Sequence, residues 1–238
     1  MWYNVFGDFM RLDKFLGNLG YGSRTTLKKD IKNGNVLVNN QIVFDCGMEI
    51  IPEKDIVTFY EEEVFYKEKI YLMMNKPKGY ICANKDGLHK TVVDLVKKPY
   101  DRFTFIIVGR LDLDTEGLLF LTTDGLWAHK MISPNHNIFK RYYVTLRKKL
   151  ENYKCLEDGI TILDGKNNPY KTKKAKISVV DDNHCYIDIQ EGKFHQVKRM
   201  FEYIGNEVIE LKRTMVGNYS LDEDLKPSEY KEISVLDD

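Results

Sequence analysis

The chain has 238 residues, 43% of them hydrophobic and 30% charged, and its formal net charge is zero. That length suits one large domain, or a small one followed by a medium one, and the apolar share supports a buried core. No apolar run approaches the roughly 20 residues of a spanning helix. The start, MWYNVFGDFM, lacks the basic head and apolar centre of a secretion signal, so a cytoplasmic protein with no membrane partner is expected.

The four cysteines, Cys46, Cys82, Cys155 and Cys185, form no C-x-x-C pair, which predicts buried thiols in a reducing compartment rather than disulfides or zinc. The five histidines show no H-x-x-x-H spacing either, and no structural metal is expected.

In chain order, Met1 to Phe9 is an N-terminal extension rich in large apolar groups, among them Trp2, Tyr3, Phe6 and Phe9. Such a segment is expected to dock on the following domain or to make an intermolecular contact. Leu12, Phe15, Leu16 and Leu19 recur at helical spacing, and Gly20 and Gly22 end that helix. Ser23 suits the cap of a second helix, Leu27 and Ile31 lie one turn apart on it, and Gly34 suits its stop. Val36 and Val38 alternate with polar residues, Asn39-Asn40 makes a turn, and Ile42-Val43 begins a second strand. Residues 55–59 read as another. Two helices and a β-hairpin thus make a small domain over residues 10–60, followed by a polar connector, EEEVFYKE, over residues 61–68.

Residues 69–238 alternate in type. Strands are predicted at 70–74, 103–108, 118–123, 142–146, 175–180 and 185–190, and helices at 124–132 and 194–204. The composition of elements predicts an α+β domain with a mixed, largely antiparallel sheet and flanking helices.

Charge is unevenly spread. Between Arg11 and Lys32 stand six basic residues and two acids. Residues 138–150 and 165–176 each hold five basic residues and no acid, whereas 221–238 hold seven acids and two lysines. A neutral protein can present a basic face in this way. On the second helix Arg24, Lys28 and Lys32 follow one another at four-residue spacing, so like charges share one face. Stability disfavours that arrangement, and a phosphate backbone along the face would explain it.

The most informative stretch is Gly109-Arg110-Leu111-Asp112-Leu113-Asp114-Thr115-Glu116-Gly117, a polar loop between apolar strands. Its carboxylates mimic the opening of a calcium loop, but position twelve of such a loop needs a bidentate Glu and here is Thr123. Composition alone would favour a charged hairpin turn.

Ordered motifs resolve the choice. GRLDLDTEGLLFLTTDG resembles the signature loop of the pseudouridine synthases, most closely the branch acting on small-subunit (16S) ribosomal RNA and its large-subunit relatives. Met74-Asn75-Lys76-Pro77-Lys78-Gly79-Tyr80, Lys140-Arg141-Tyr142-Tyr143-Val144-Thr145-Leu146 and Glu191-Gly192-Lys193-Phe194-His195-Gln196-Val197-Lys198-Arg199-Met200-Phe201 resemble its other motifs, in the expected order. Arg11-Leu12-Asp13-Lys14-Phe15-Leu16 through Asn35-Val36-Leu37-Val38-Asn39 resembles the alpha-L, or S-four, RNA-binding domain. Glu116 and Cys82 depart from the residues usual in the family.

The resemblance implies an isomerase that detaches uracil from ribose carbon 1, turns it and rejoins it through carbon 5. Such a reaction involves no redox change and needs no cofactor. It implies Asp112 as the catalytic carboxylate, either nucleophile or base, Tyr142 as the tyrosine stacked on the flipped base, and Lys198 as the cation paired with the aspartate. Arg110 would fill the gap left by the extruded nucleotide. Arg24, Lys28, Lys32, Lys76, Lys140, Arg141 and Arg199 are candidate RNA contacts. The implied partner is ribosomal RNA within a pre-ribosomal small-subunit particle, bound by a monomer. Three alternatives stand beside this: a large-subunit (23S) rRNA synthase, a non-catalytic RNA-binding assembly protein that keeps the fold, and a glycosidase. The last usually needs two carboxylates flanking the bond, and Asp114 is its only evident second.

Overall fold

The computed structural model describes residues 9–235. The expected docking of the N-terminal extension falls almost wholly outside the described residues; Phe9, at its end, is exposed.

The chain divides into two compact units. The first takes in the stretch up to Glu68 together with Lys97–Phe103. Its helices are Leu12–Asn18 and Arg24–Lys32, and the predicted apolar stripe of Leu12, Phe15, Leu16, Leu19, Leu27 and Ile31 is buried. The Ser23 side chain accepts a hydrogen bond from the Thr26 N–H at 3.2 Å, capping the second helix. Asn39 and Asn40 both have positive φ, 51° and 64°, the backbone that a two-residue hairpin turn requires. They join Val36–Val38 to Gln41–Ile42, and Val57–Phe59 pairs on the other side of Val36–Val38.

The linear domain boundaries need one amendment. Arg102, far along the chain, donates from Nη2 to the Phe65 carbonyl at 2.9 Å and sets its guanidinium over the Tyr21 ring at 4.6 Å. Gly20, at φ +78°, lies so close to the Arg102 carbonyl that a Cβ would stand 2.7 Å from its oxygen. The small unit is therefore built from two separate pieces of sequence.

The second unit holds a nine-stranded sheet. Its main path runs Lys176–Val179, His184–Ile189, Lys140–Leu146, Val208–Val216, Glu116–Thr122, Tyr71–Lys76 and Tyr230–Glu232. Every pairing is antiparallel except that of Val208–Val216 with Glu116–Thr122. Leu118, Leu119, Phe120 and Leu121 are all fully buried, as a central strand covered on both faces demands. One core lies under Tyr142, Val144, Ile187 and Leu211, packed by Val197, Met200 and Phe201 of the helix Gln196–Tyr203. The other gathers Phe120, Trp127 and Met131 from the strand and the helix Gly125–Ile132. The expectation of buried thiols holds for Cys185 but fails for Cys155, which is exposed on the short helix Lys154–Asp158.

Candidate active site

The strands Ile106–Val108 and Glu116–Thr122 pair antiparallel, so residues 109–115 form the polar tip between them. Two buried cations fix this tip. Lys76, fully buried at the end of Tyr71–Lys76, donates from Nζ to the carbonyls of Pro77, Asp112 and Thr115 at 3.0, 3.0 and 2.8 Å. Three N–H groups meet three acceptors, which is the arrangement a buried ammonium needs. Burial pushes this lysine below its ordinary pKa, against the pull of Asp112, Asp114 and Glu116.

Arg213, 1% exposed, donates from Nη2 to the Gly109 carbonyl at 2.6 Å and from Nε to that of Leu118 at 2.8 Å. Its approach requires a glycine at 117. With φ +104° there, a Cβ would stand 2.2 Å from the Arg213 carbonyl oxygen. The Leu111 N–H donates to Cys82 Sγ at 3.2 Å, and the Gly79 N–H to the Leu113 carbonyl at 2.8 Å. The loop backbone is thus tied at nearly every residue, and its side chains are presented by a rigid support.

Asp112 points its carboxylate into a small cleft of about 60 Å³, shared with Arg110, Thr115, Tyr142, His195 and Leu211. Its side chain is 30% exposed. Lys198 Nζ lies 3.6 Å from Oδ2, and His195 Nε2 lies 3.7 Å from Oδ1. The tighter partner of Lys198 is Asp114 Oδ1, at 2.6 Å. Burial works to raise the Asp114 carboxyl, but the hydrogen bond and charge of Lys198 outweigh it and hold the group below the usual range. Tyr142, 7% exposed, forms part of the apolar wall.

The segment that delivers His195 and Lys198 is anchored behind the cleft. Glu191, buried, accepts from Gln196 Nε2 at 2.5 Å, from the Lys173 N–H at 2.9 Å and from the Tyr170 hydroxyl. Burial and this carboxylate both push the Tyr170 hydroxyl well above its ordinary pKa.

Residues 70–203 match the family model described as RNA pseudouridylate synthase. The chain belongs to the RNA pseudouridylate synthase family. Residues 10–50 match the S4 domain. An uncharacterised RNA pseudouridine synthase of Bacillus subtilis is 44% identical over 94% of this chain and 95% of its own length. A ribosomal small subunit pseudouridine synthase A of Haemophilus influenzae is 40% identical over 94% of this chain and 96% of its own. Its namesake in Escherichia coli is 35% identical over the same shares. A crystal structure of a pseudouridylate synthase matches with TM-score 0.64 at 37% identity, over 94% of this chain and 96% of that one.

Within this pseudouridylate synthase fold, Arg110, Asp112 and Tyr142 line one cleft, and Lys198 reaches to 3.6 Å from Asp112. Four of the expected RNA contacts have partners within the protein. Lys76 is no phosphate contact, because it is fully buried on three carbonyls. Lys140 is 9% exposed and donates to the Ile138 carbonyl at 3.3 Å; burial lowers its pKa. Arg141 lies on the opposite side of its strand from Tyr142, joined to Asp188 by two hydrogen bonds of 2.7 and 2.8 Å. Arg199 spends Nη1 on the carbonyls of Leu163 and Asp164. Arg24, Lys28 and Lys32 are exposed on the first unit's second helix, as expected.

Sequence reasoning missed Arg213, His195, Glu191 and Gln196 as site residues. For Arg213 a signal exists: an arginine amid the alternating strand VIELKRTMV must find acceptors inside the fold. His195 carries none, because its role follows from a left-handed backbone, φ 51°, visible only in three dimensions.

Proposed function

We propose that this chain converts a specific uridine of small-subunit (16S) ribosomal RNA to pseudouridine, with Asp112 as catalytic carboxylate. The observation that carries the reading is the partly exposed Asp112 carboxylate, which lines one cleft with Tyr142 and is faced by Lys198 at 3.6 Å. The small-subunit assignment draws on relatives of that name that align along nearly the whole chain.

In this reading the target nucleotide leaves its stack and enters the cleft. Asp112 starts the reaction, as a nucleophile or as a base toward the ribose. The bond from N1 to ribose carbon 1 breaks, and carbon 5 bonds to carbon 1. The carbon 5 proton departs, and N1 takes one up. Tyr142 packs on the uracil, Lys198 orients the carboxylate, and Arg110 occupies the vacated stack. Arg24, Lys28 and Lys32 hold flanking phosphates. The enzyme works as a monomer on a cytoplasmic pre-ribosomal particle.

The test is to map pseudouridines in ribosomal RNA from cells with and without the gene, complemented by the wild type or by Asp112→Asn. One 16S site lost, and restored only by the wild type, is expected. A lost 23S site would move the substrate to the large subunit. An unchanged map would favour a non-catalytic RNA-binding role.

A further inference from the structure

Between Lys193 and His195, which line the Asp112 cleft, stands an aromatic group outside the chemistry assigned above. Phe194 is 53% exposed. Its ring stacks on His195, with centroids 3.8 Å apart and planes 19° from parallel. The guanidinium of Arg199 lies 5.2 Å from the Phe194 ring centre, and Arg199 is itself fixed by the Leu163 and Asp164 carbonyls. Next to them is Gly165, where a Cβ would stand 3.1 Å from Phe194 Cβ. The neighbouring His195, which reaches to 3.7 Å from Asp112, has the left-handed backbone rare outside glycine.

A single exposed aromatic is ordinary on a protein surface. Restraint is what sets this one apart. Phe194 is bounded by an imidazole, a guanidinium and a close-fitting loop, yet more than half of it faces solvent. A ring ordered in advance loses little freedom when something stacks on it. Unpaired RNA bases are held on such aromatic and arginine planes, and every base offers a suitable face. Tyr142 is buried and suits the extruded base. Phe194 stands outside and suits a neighbour that stays at the surface.

We propose that Phe194, backed by His195 and Arg199, is the platform on which an unpaired base adjoining the target uridine stacks, and so selects the RNA context that is modified. This rests on the reading that uridine enters the Asp112 cleft. The occupant is a nucleobase of single-stranded RNA, recognised by its π-face.

The test uses the full chain carrying Phe194→Ala, Phe194→Leu or Phe194→Trp, with the melting midpoint of each as a folding control. The probe is a short oligouridylate with one 2-aminopurine, whose fluorescence falls on stacking. Wild type and Phe194→Trp should quench it, whereas the Ala and Leu variants should bind at least about tenfold more weakly and lose the quench. Leucine keeps apolar bulk without a ring, so a quench retained by Phe194→Leu overturns the proposal. So does wild-type behaviour of Phe194→Ala, or no quench by wild type at saturation. In parallel, turnover of a 16S transcript should show KM raised by Phe194→Ala more than kcat is lowered, with Phe194→Trp restoring KM. If wild type leaves the transcript unmodified while the quench behaves as expected, the substrate reading fails and the platform stands.

Discussion

Two groups of basic side chains, one in each unit, are used in opposite ways. On the helix of the first, Arg24, Lys28 and Lys32 are exposed, with side chains free of hydrogen bonds to the described residues. In the second, Lys76 and Arg213 are dry and bound to backbone carbonyls. A surface cation keeps its water and can exchange it for a phosphate. A buried cation has given up its water and must keep its carbonyls. A basic residue in a motif of an RNA enzyme is thus no sign of RNA contact until its solvation is known.

The largest effect should come from Asp112→Asn, because Lys76 holds the Asp112 carbonyl and leaves its carboxylate free. The loop should survive while single-turnover isomerisation falls by about a hundredfold to ten-thousandfold, or more. Turnover near the wild-type rate would remove Asp112 from the chemistry. Next, Lys76→Met removes the donor that the Pro77, Asp112 and Thr115 carbonyls share inside the fold, and urea unfolding should show a loss of about 3 kcal/mol or more. Lys28→Ala, by contrast, should stay within about 0.5 kcal/mol of wild type. Equal losses at the two lysines would erase the contrast between the units.

A half-buried anion sharpens the comparison through pH. Burial acts to raise the Asp124 carboxyl, but the Tyr71 hydroxyl, the Trp127 and Leu126 N–H groups and Lys69 outweigh it and hold it at about 2. A carboxyl lower in the folded than in the unfolded chain stabilises the fold above the unfolded value, near about 4. That contribution is lost as pH falls from about 4 through about 2. Asp124 also caps the helix Gly125–Ile132. Asp124→Ala should therefore destabilise by about 1 kcal/mol at neutral pH, and the deficit should shrink in that acid window. A deficit independent of pH would mean the carboxylate charge is not what matters.

The smallest effect concerns RNA. Lys28→Ala should weaken binding a few-fold at every sequence and reduce the salt slope by about one. An unchanged slope would show that the exposed helix face does not meet phosphate.

Legibility followed locality. The two helices of the small unit, their Ser23 cap and the Asn39-Asn40 turn were readable because spacing and turn chemistry determine them within a few residues. So were the strands ending at Thr122 and Leu146, where apolar or alternating runs are long. The strand Val208–Val216 escaped, since Glu210, Lys212 and Arg213 break its apolar pattern, and only the fold supplies carbonyls to Arg213. The hairpin of Thr161–Leu163 and Pro169–Lys171 escaped because each strand is only three residues long, too short to show a period. In the site, the motif residues were readable by resemblance. The partners of Lys76 and Arg199 were not, because a cation on a carbonyl and a cation on a phosphate look alike in one dimension.

The segment Lys97–Phe103 carries a consequence for modularity. The Arg102 carbonyl against Gly20, and the Arg102 guanidinium against Tyr21 and Phe65, belong to the small unit although they are encoded inside the stretch that otherwise builds the catalytic one. An S4 cassette lifted from this gene by a single cut near residue 68 leaves behind the partner that Gly20 was shaped to fit. A chimera that grafts onto residue 69 onward an S4 domain with a larger residue in place of Gly20 sets a side chain against the Arg102 carbonyl. Exchange that keeps this contact carries both segments together, at two coordinated breakpoints rather than at one.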